Sequence, residues 1–251
     1  MSVSTHRRRG FAGRTRSVIQ ASVLLTALAG SAALAAAPPA PGQSAAASTA
    51  PPAHLGQPFD VVAGESLLTV LVYRAGLLSA FGHDHVVACH CITGMIYVPD
   101  NPAQATFDLR VSVNQFTVDD PAMRAAEHSR DFAPHVSPSA QQAVRENMLS
   151  TRVLDAERYP DIVLQAEGLQ PSPDGKPGDI LARVLVQLRG QSRSISVPMH
   201  YEMHANEVVA SGQFPVEQTS LGLTRYKAVA GALSVKNGLT VRFRLVAKRR
   251  G

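Results

Sequence analysis

The chain has 251 residues, enough for one large domain or two small ones, with 24 Lys and Arg against 19 Asp and Glu. The excess sits in the leader: Arg7, Arg8, Arg9, Arg14 and Arg16 fall in the first 35 residues with no acid, leaving 19 basic residues against 19 acidic ones. Balanced charge, no Trp and 5% aromatic residues supply neither a phosphate-collecting surface nor a base-stacking platform, so nucleic acid is excluded as a partner.

Residues 1–35 read as an export signal. A basic stretch precedes the apolar run from Val18 to Ala35, and Ala33-Leu34-Ala35 offers a small-x-small cleavage pattern. The run is long enough for an uncleaved anchor, but its Ala, Gly, Ser and Thr content makes it only mildly apolar and favours cleavage. Arg8-Arg9-Gly10-Phe11 partly matches a twin-arginine signal, and a plain secretory signal fits better. The expected location is the periplasm, with a mature chain starting near Ala36. Residues 36–58 are rich in Ala, Pro and Ser and read as a disordered linker. A single globular domain is expected over 59–248.

His83-Asp84-His85 is the densest polar feature and precedes a β-like run. It reads either as a headgroup clamp or as a loop organised by Asp84. Cys89, His90 and Cys91 come next. On a regular strand Cys89 and Cys91 would share a face with His85, and a Cα separation of about 7 Å would exceed disulfide range. Two free thiols are therefore expected. His83, His85, Cys89 and Cys91 form an alternative metal ligand set, although their spacing is not a standard zinc pattern.

Period-2 alternation dominates the chain from residue 105 onward. Ala105, Phe107, Leu109, Val111 and Val113 share one face, as do Ile180, Ala182, Val184, Val186 and Leu188. Ile195, Val197, Met199, Tyr201 and Met203 repeat the pattern, and Val241, Phe243 and Leu245 close it. The charged stretch from Asp119 to Asp131 reads as a solvated loop over one end of the fold. Ser139–Leu149 reads as a helix capped by Ser137 or Ser139. Arg189-Gly190-Gln191-Ser192 is a turn between neighbours, and Asn237-Gly238 gives the strongest hairpin signal. Long strands with one apolar face belong to an antiparallel sheet, and closure into a barrel removes its edges. A sandwich is the runner-up.

Several patterns together resemble the YceI-like family. They are Leu77-Leu78-Ser79-Ala80-Phe81-Gly82-His83-Asp84-His85, Asn147-Met148-Leu149-Ser150, and Val153-Leu154-Asp155-Ala156-Glu157-Arg158-Tyr159-Pro160-Asp161-Ile162. Leu188-Arg189-Gly190-Gln191-Ser192-Arg193 before Val197-Pro198 and the later Gln218-Thr219-Ser220-Leu221-Gly222 complete the series. The resemblance spans about residues 59–248 and implies an all-β, extended lipocalin-like barrel that takes up polyisoprenoid or other amphiphilic lipid.

A carrier with no required cofactor is therefore the leading reading, its ligand an isoprenoid, a quinone-like molecule or a fatty amphiphile. The membrane serves only transiently as ligand source, and a homodimer is compatible with this. The expected ligand-binding residues are Phe81, His83, Asp84, His85, Phe107, Val113, Val184, Met199 and Tyr201. The alternative is a metal- or haem-associated redox accessory using residues 83–91. A hydrolase with His83 or His85 as base lacks an activated nucleophile beside them, and a purely structural envelope protein is the fourth reading. No nucleophile elbow, zinc-protease His pair or phosphate loop is present.

Overall fold

The computed structural model describes residues 55–173 and 175–251. The export signal and residues 36–54 of the expected linker lie outside the described residues. The described chain begins just ahead of β1 (Gln57–Val61), which starts two residues before the expected domain boundary. It continues through β2 (Leu67–Val72), β3 (Arg74–Ala75), β4 (His85–Cys89), β5 (Ile92–Val98), β6 (Thr106–Ser112) and β7 (Thr117–Val118). Two helices come next, α1 (Pro121–Ala125) and α2 (Pro138–Leu149). The remaining strands are β8 (Asp161–Pro171), β9 (Asp179–Leu188), β10 (Gln191–His204), β11 (Glu207–Glu217), β12 (Lys227–Ala228), β13 (Leu233–Val235) and β14 (Gly238–Arg249).

Eight antiparallel wall strands close into a barrel in the order β1, β5, β6, β8, β9, β10, β11, β14 and back to β1. Closure pairs Phe59 with Arg249 and Val61 with Ala247. At one end β2, β4 and β7 continue the walls begun by β1, β5 and β6, so three long segments are each interrupted once. The breaks fall at Ala63–Glu65, at His90-Cys91 and at Val113–Gln115. Strand register places these breaks side by side, because Leu68 faces Cys89 and Ile92 faces Val111. Each break inverts the alternation. Phe59 and Val61 give way to Leu68, Val70 and Val72; Phe107, Leu109 and Val111 give way to Phe116 and Val118. Because a slip of one residue flips a strand's faces, only such a break keeps apolar side chains inside along the whole length.

The unbroken strands keep to their sequence pattern. Ala182, Val184, Val186 and Leu188 are buried while Arg183 and Gln187 are exposed. Arg189 (φ 51°) and Gly190 (φ 71°) form the two-residue turn that sets Leu188 opposite Gln191. Two successive positive φ values suit a tight hairpin, and a Cβ at Gly190 would approach the Tyr159 hydroxyl to 2.9 Å and its ring to 3.0 Å. Ser137 accepts from the Ala140 amide at 3.3 Å and so caps α2, whose Val144 and Met148 pack on the core.

Three expectations need correction. Asn237-Gly238 is not a hairpin turn, because β13 pairs with β3 and β12 while β14 pairs with β11. Instead Asn237 Oδ1 accepts from the Thr219 amide at 3.2 Å and its Nδ2 donates to Thr219 Oγ1 at 2.9 Å. Cys89 and Cys91 form a disulfide: the strand breaks at His90 and brings their Cα atoms to 5.2 Å, well short of an extended strand's spacing. The stretch from Asp119 to Asp131 is no simple solvated loop. Asp119 is fully buried and Arg124 is 7% exposed. Val86, Leu71 and Phe132 form a second small core outside the wall there, with Tyr73 and Met123 packed against it.

Candidate functional site: an apolar lumen with a polar end

The inward faces do not meet. They enclose a cavity of about 440 Å³ that reaches from Val72, His85, Met148 and Tyr226 at one end to Val98, Pro102, Leu169 and Met203 at the other. Its size falls in the range of small-ligand sites. Phe107, Val184, Met199 and Tyr201, expected to meet a ligand, all line it, and so does His85. Val113 does not: it is buried in the break between β6 and β7 and packs as core. Met203, at the rim, lines the lumen while 43% exposed.

The triplet 83–85 divides its duties. His85 is the first residue of β4 and shares its inward face with Val87. Asp84, 5% exposed, is spent on structure: its Oδ1 accepts from the Arg74 amide at 2.8 Å, with the Arg74 guanidinium at 3.4 Å. His83 is partly buried and does not line the lumen. Phe81, expected to meet a ligand, is 81% exposed and does not line the lumen, because it ends the short 3-10 turn Ser79–Phe81 in the loop between β3 and β4.

His85 is held from behind. Its Nδ1 lies 2.6 Å from Asp119 Oδ2; Asp119 Oδ1 accepts from the Val86 amide at 2.9 Å and from Arg124 Nη1 at 2.5 Å. Arg124 also donates to the carbonyls of Asp84 (2.7 Å) and Pro134 (3.0 Å). Burial pushes the Asp119 carboxyl up, but the hydrogen bond and charge of His85, the Val86 amide and Arg124 outweigh it, holding the pKa below the ordinary aspartate value. An ionised Asp119 requires a proton on Nδ1. That fixes the ring and leaves Nε2 as its remaining polar atom: an acceptor when the ring is neutral, a donor when it is charged.

Other polar groups line the same end. Asn147 on α2 accepts from the Tyr226 hydroxyl at 3.0 Å, and Arg152 donates to that hydroxyl at 3.2 Å while stacking over the ring at 4.5 Å. Gln218 also lines the lumen, with its amide donating to the Lys236 carbonyl at 2.7 Å. Sequence reasoning missed Asn147, Tyr226 and Gln218 as site residues. Asn147 and Gln218 belong to the motifs that carry the family resemblance, and that was the available signal.

The alternative metal set is not assembled. Cys89 and Cys91 consume each other's sulfurs, and among the described residues no group of three or more His, Cys, Asp or Glu could hold a metal ion.

A family model described as the YceI-like domain matches residues 79–247. The chain belongs to the YceI-like family. The match covers the barrel from Ser79 onward, and β1 and β2 lie ahead of it. Among solved structures, this YceI-like chain is similar to Burkholderia cenocepacia BcnA, at 13% identity and TM-score 0.53, covering 74% of this chain and 99% of that one. That likeness shows a shared fold. A polyisoprenoid binding domain from Saccharophagus degradans, implicated in plant cell wall breakdown, matches at 11% identity and TM-score 0.47, covering 76% and 98%. The Campylobacter jejuni YCEI protein matches at 9% identity and TM-score 0.44, covering 64% and 82%. No curated protein matches the chain in sequence.

Proposed function

We propose that this protein is an exported, periplasmic carrier that holds one long apolar or amphiphilic molecule, an isoprenoid, quinone-like or fatty lipid, in its lumen. The observation that carries the reading is the cavity of about 440 Å³ running the length of the barrel between apolar walls. Polar groups at one end, His85, Asn147 and Tyr226, give a headgroup two hydrogen-bonding side chains and an imidazole held in one orientation. Val184, Met199, Tyr201 and Phe107 would meet the chain.

Magnitudes select a long ligand. Each buried methylene gains about 0.8 kcal/mol, while association costs about 4–15 kcal/mol. A short acid of about four carbons gains only about 3 kcal/mol and cannot offset that cost; a chain of about twenty carbons gains about 16 kcal/mol and can. The reading is one of binding, with no chemical step assigned to His85, whose ring is fixed by a carboxylate that Arg124 already neutralises.

Native mass spectrometry with lipid extraction tests it. One amphiphile per barrel is expected from the wild type. Ala210→Phe projects into the lumen and should lose the lipid while keeping the fold; Val184→Glu should lose it because an unpaired carboxylate is disfavoured in an apolar cavity. An empty wild type that also fails to take up a fluorescent isoprenoid from micelles would overturn the reading.

A further inference from the structure

The loop between β3 and β4 carries the two most exposed large apolar side chains among the described residues. Leu77 is 95% exposed and Phe81 81%, with Leu78 between them at 37%. The excursion that contains it leaves and rejoins the wall at lumen positions, since Val72 and His85 both line the cavity and face one another across β2 and β4. The loop is also firmly seated. Leu78 donates its amide to the Ala232 carbonyl at 2.9 Å, and Ala75 pairs with Ser234 in the small sheet of β3, β13 and β12. Gly76, at φ 95°, lies so close to Ala232 that an added Cβ would stand 2.5 Å from its carbonyl oxygen. A seated loop that still exposes Leu and Phe is a candidate contact surface, not a disordered excursion.

The segment on which it sits supplies the charge. Residues 219–237 carry Arg225, Lys227 and Lys236, all exposed, and contain no Asp or Glu. Residues 73–83 likewise contain no acid, and Arg74 there is spent on Asp84 at 3.4 Å and Asp131 at 3.5 Å, so the collar's charge is that of Arg225, Lys227 and Lys236. An apolar tip set in a cationic collar matches the layered chemistry of an anionic bilayer, apolar below a phosphate surface. A second copy of the chain fits less well. Three side chains of at most about 200 Å² each fall short of the roughly 800 Å² per partner of a stable interface, and two cationic collars would repel.

We propose that this tip docks the barrel on an anionic membrane. Leu77, Leu78 and Phe81 enter the acyl boundary, Arg225, Lys227 and Lys236 meet lipid phosphates, and the end of the lumen bearing His85 and Tyr226 is brought to the bilayer. Its purpose rests on the carrier reading, but the docking itself does not.

The full chain contains no Trp, so Phe81→Trp provides a single reporter at the tip. With vesicles of phosphatidylglycerol and phosphatidylcholine (1:1), its emission should shift to the blue and be quenched by brominated acyl chains. Pure phosphatidylcholine vesicles should give at least tenfold weaker binding. Leu77→Ser with Phe81→Ser, and separately Arg225→Ser with Lys227→Ser, should each weaken vesicle partition about tenfold while leaving micelle-to-lumen uptake of a fluorescent isoprenoid unchanged. A reporter that stays water-exposed on protein bound to vesicles overturns the proposal. A blue shift that needs no vesicles and rises with protein concentration assigns the tip to a protein contact and overturns it equally. Docking without lumen uptake would overturn the carrier reading alone.

Discussion

His85 Nδ1 and Asp119 Oδ2 lie 2.6 Å apart although 34 residues separate them in sequence. Through this contact a ring on the inner face of the wall is anchored by charges packed outside it, because Asp119 is itself fixed by Arg124 from α1. The lumen's polar end and the outer covering of the barrel are therefore one hydrogen-bonded unit.

Removing the charge of Asp119 should be costly at neutral pH. Asp119→Asn leaves the Arg124 guanidinium without its buried partner, a loss of about 3 kcal/mol. The folded-state pKa is depressed, so the carboxylate's contribution is fully present above the ordinary value of about 4 and is lost as pH falls below it. Urea unfolding from pH 7 to pH 3 should show the gap between wild type and variant narrowing below about pH 4.

Arg242 on β14 holds Glu127 through two hydrogen bonds, at 3.1 and 3.0 Å, and the Glu127 side chain is only 5% exposed. Arg242→Ala should cost about 1.5–3 kcal/mol, the range for bonds to charged groups. Hydrogen exchange should rise in residues 119–136 and stay unchanged in β9 and β10.

The Cys89–Cys91 bridge should leave no thiol to label in the non-reduced, denatured protein. It closes so short a loop that chain-entropy reasoning assigns it only roughly 1–2 kcal/mol. Cys89→Ala with Cys91→Ala should therefore lower the melting temperature modestly and keep the barrel, as read by circular dichroism.

Gly94 adopts φ 124°, and a Cβ there would lie 2.1 Å from the Asp108 carbonyl oxygen on β6. Gly94→Ala should destabilise by more than about 2 kcal/mol, since backbone and not a flexible side chain must move. Thermal unfolding read beside the harmless Gly238→Ala, whose Cβ meets nothing within 4 Å, isolates the effect.

The strands over 180–188 and 194–204, the Arg189-Gly190 turn, α2 and the inward set of Phe107, Val184, Met199 and Tyr201 were legible because each lies in an unbroken stretch where period 2 or 3.6 holds. The rest obeyed the same physics with a phase change that periodicity cannot register. In β8, Ile162 and Leu164 line the lumen on even numbers and Leu169 on an odd one, because a bulge between Ala166 and Gly168 shifts the register. The break at His90 likewise turned two separate thiols into a bridge. Asp119 and Arg124 looked solvated because buried charges that satisfy one another leave no apolar pattern. Asn237-Gly238 carried the right turn residues between strands that do not pair.

The closing strands β1 and β14 make the wall a ring without a privileged beginning. Phe59 stands opposite Arg249, and Arg250 donates its amide to the Pro58 carbonyl at 3.0 Å. A circular permutant that joins residue 251 to residue 55 through a short linker and opens the chain between β5 and β6 keeps all eight neighbour relations. What it alters is the order of assembly: the β1–β14 seam, which links the wall strands farthest apart in sequence, becomes a local hairpin, and the β5–β6 pairing inherits the entropy of closing the ring.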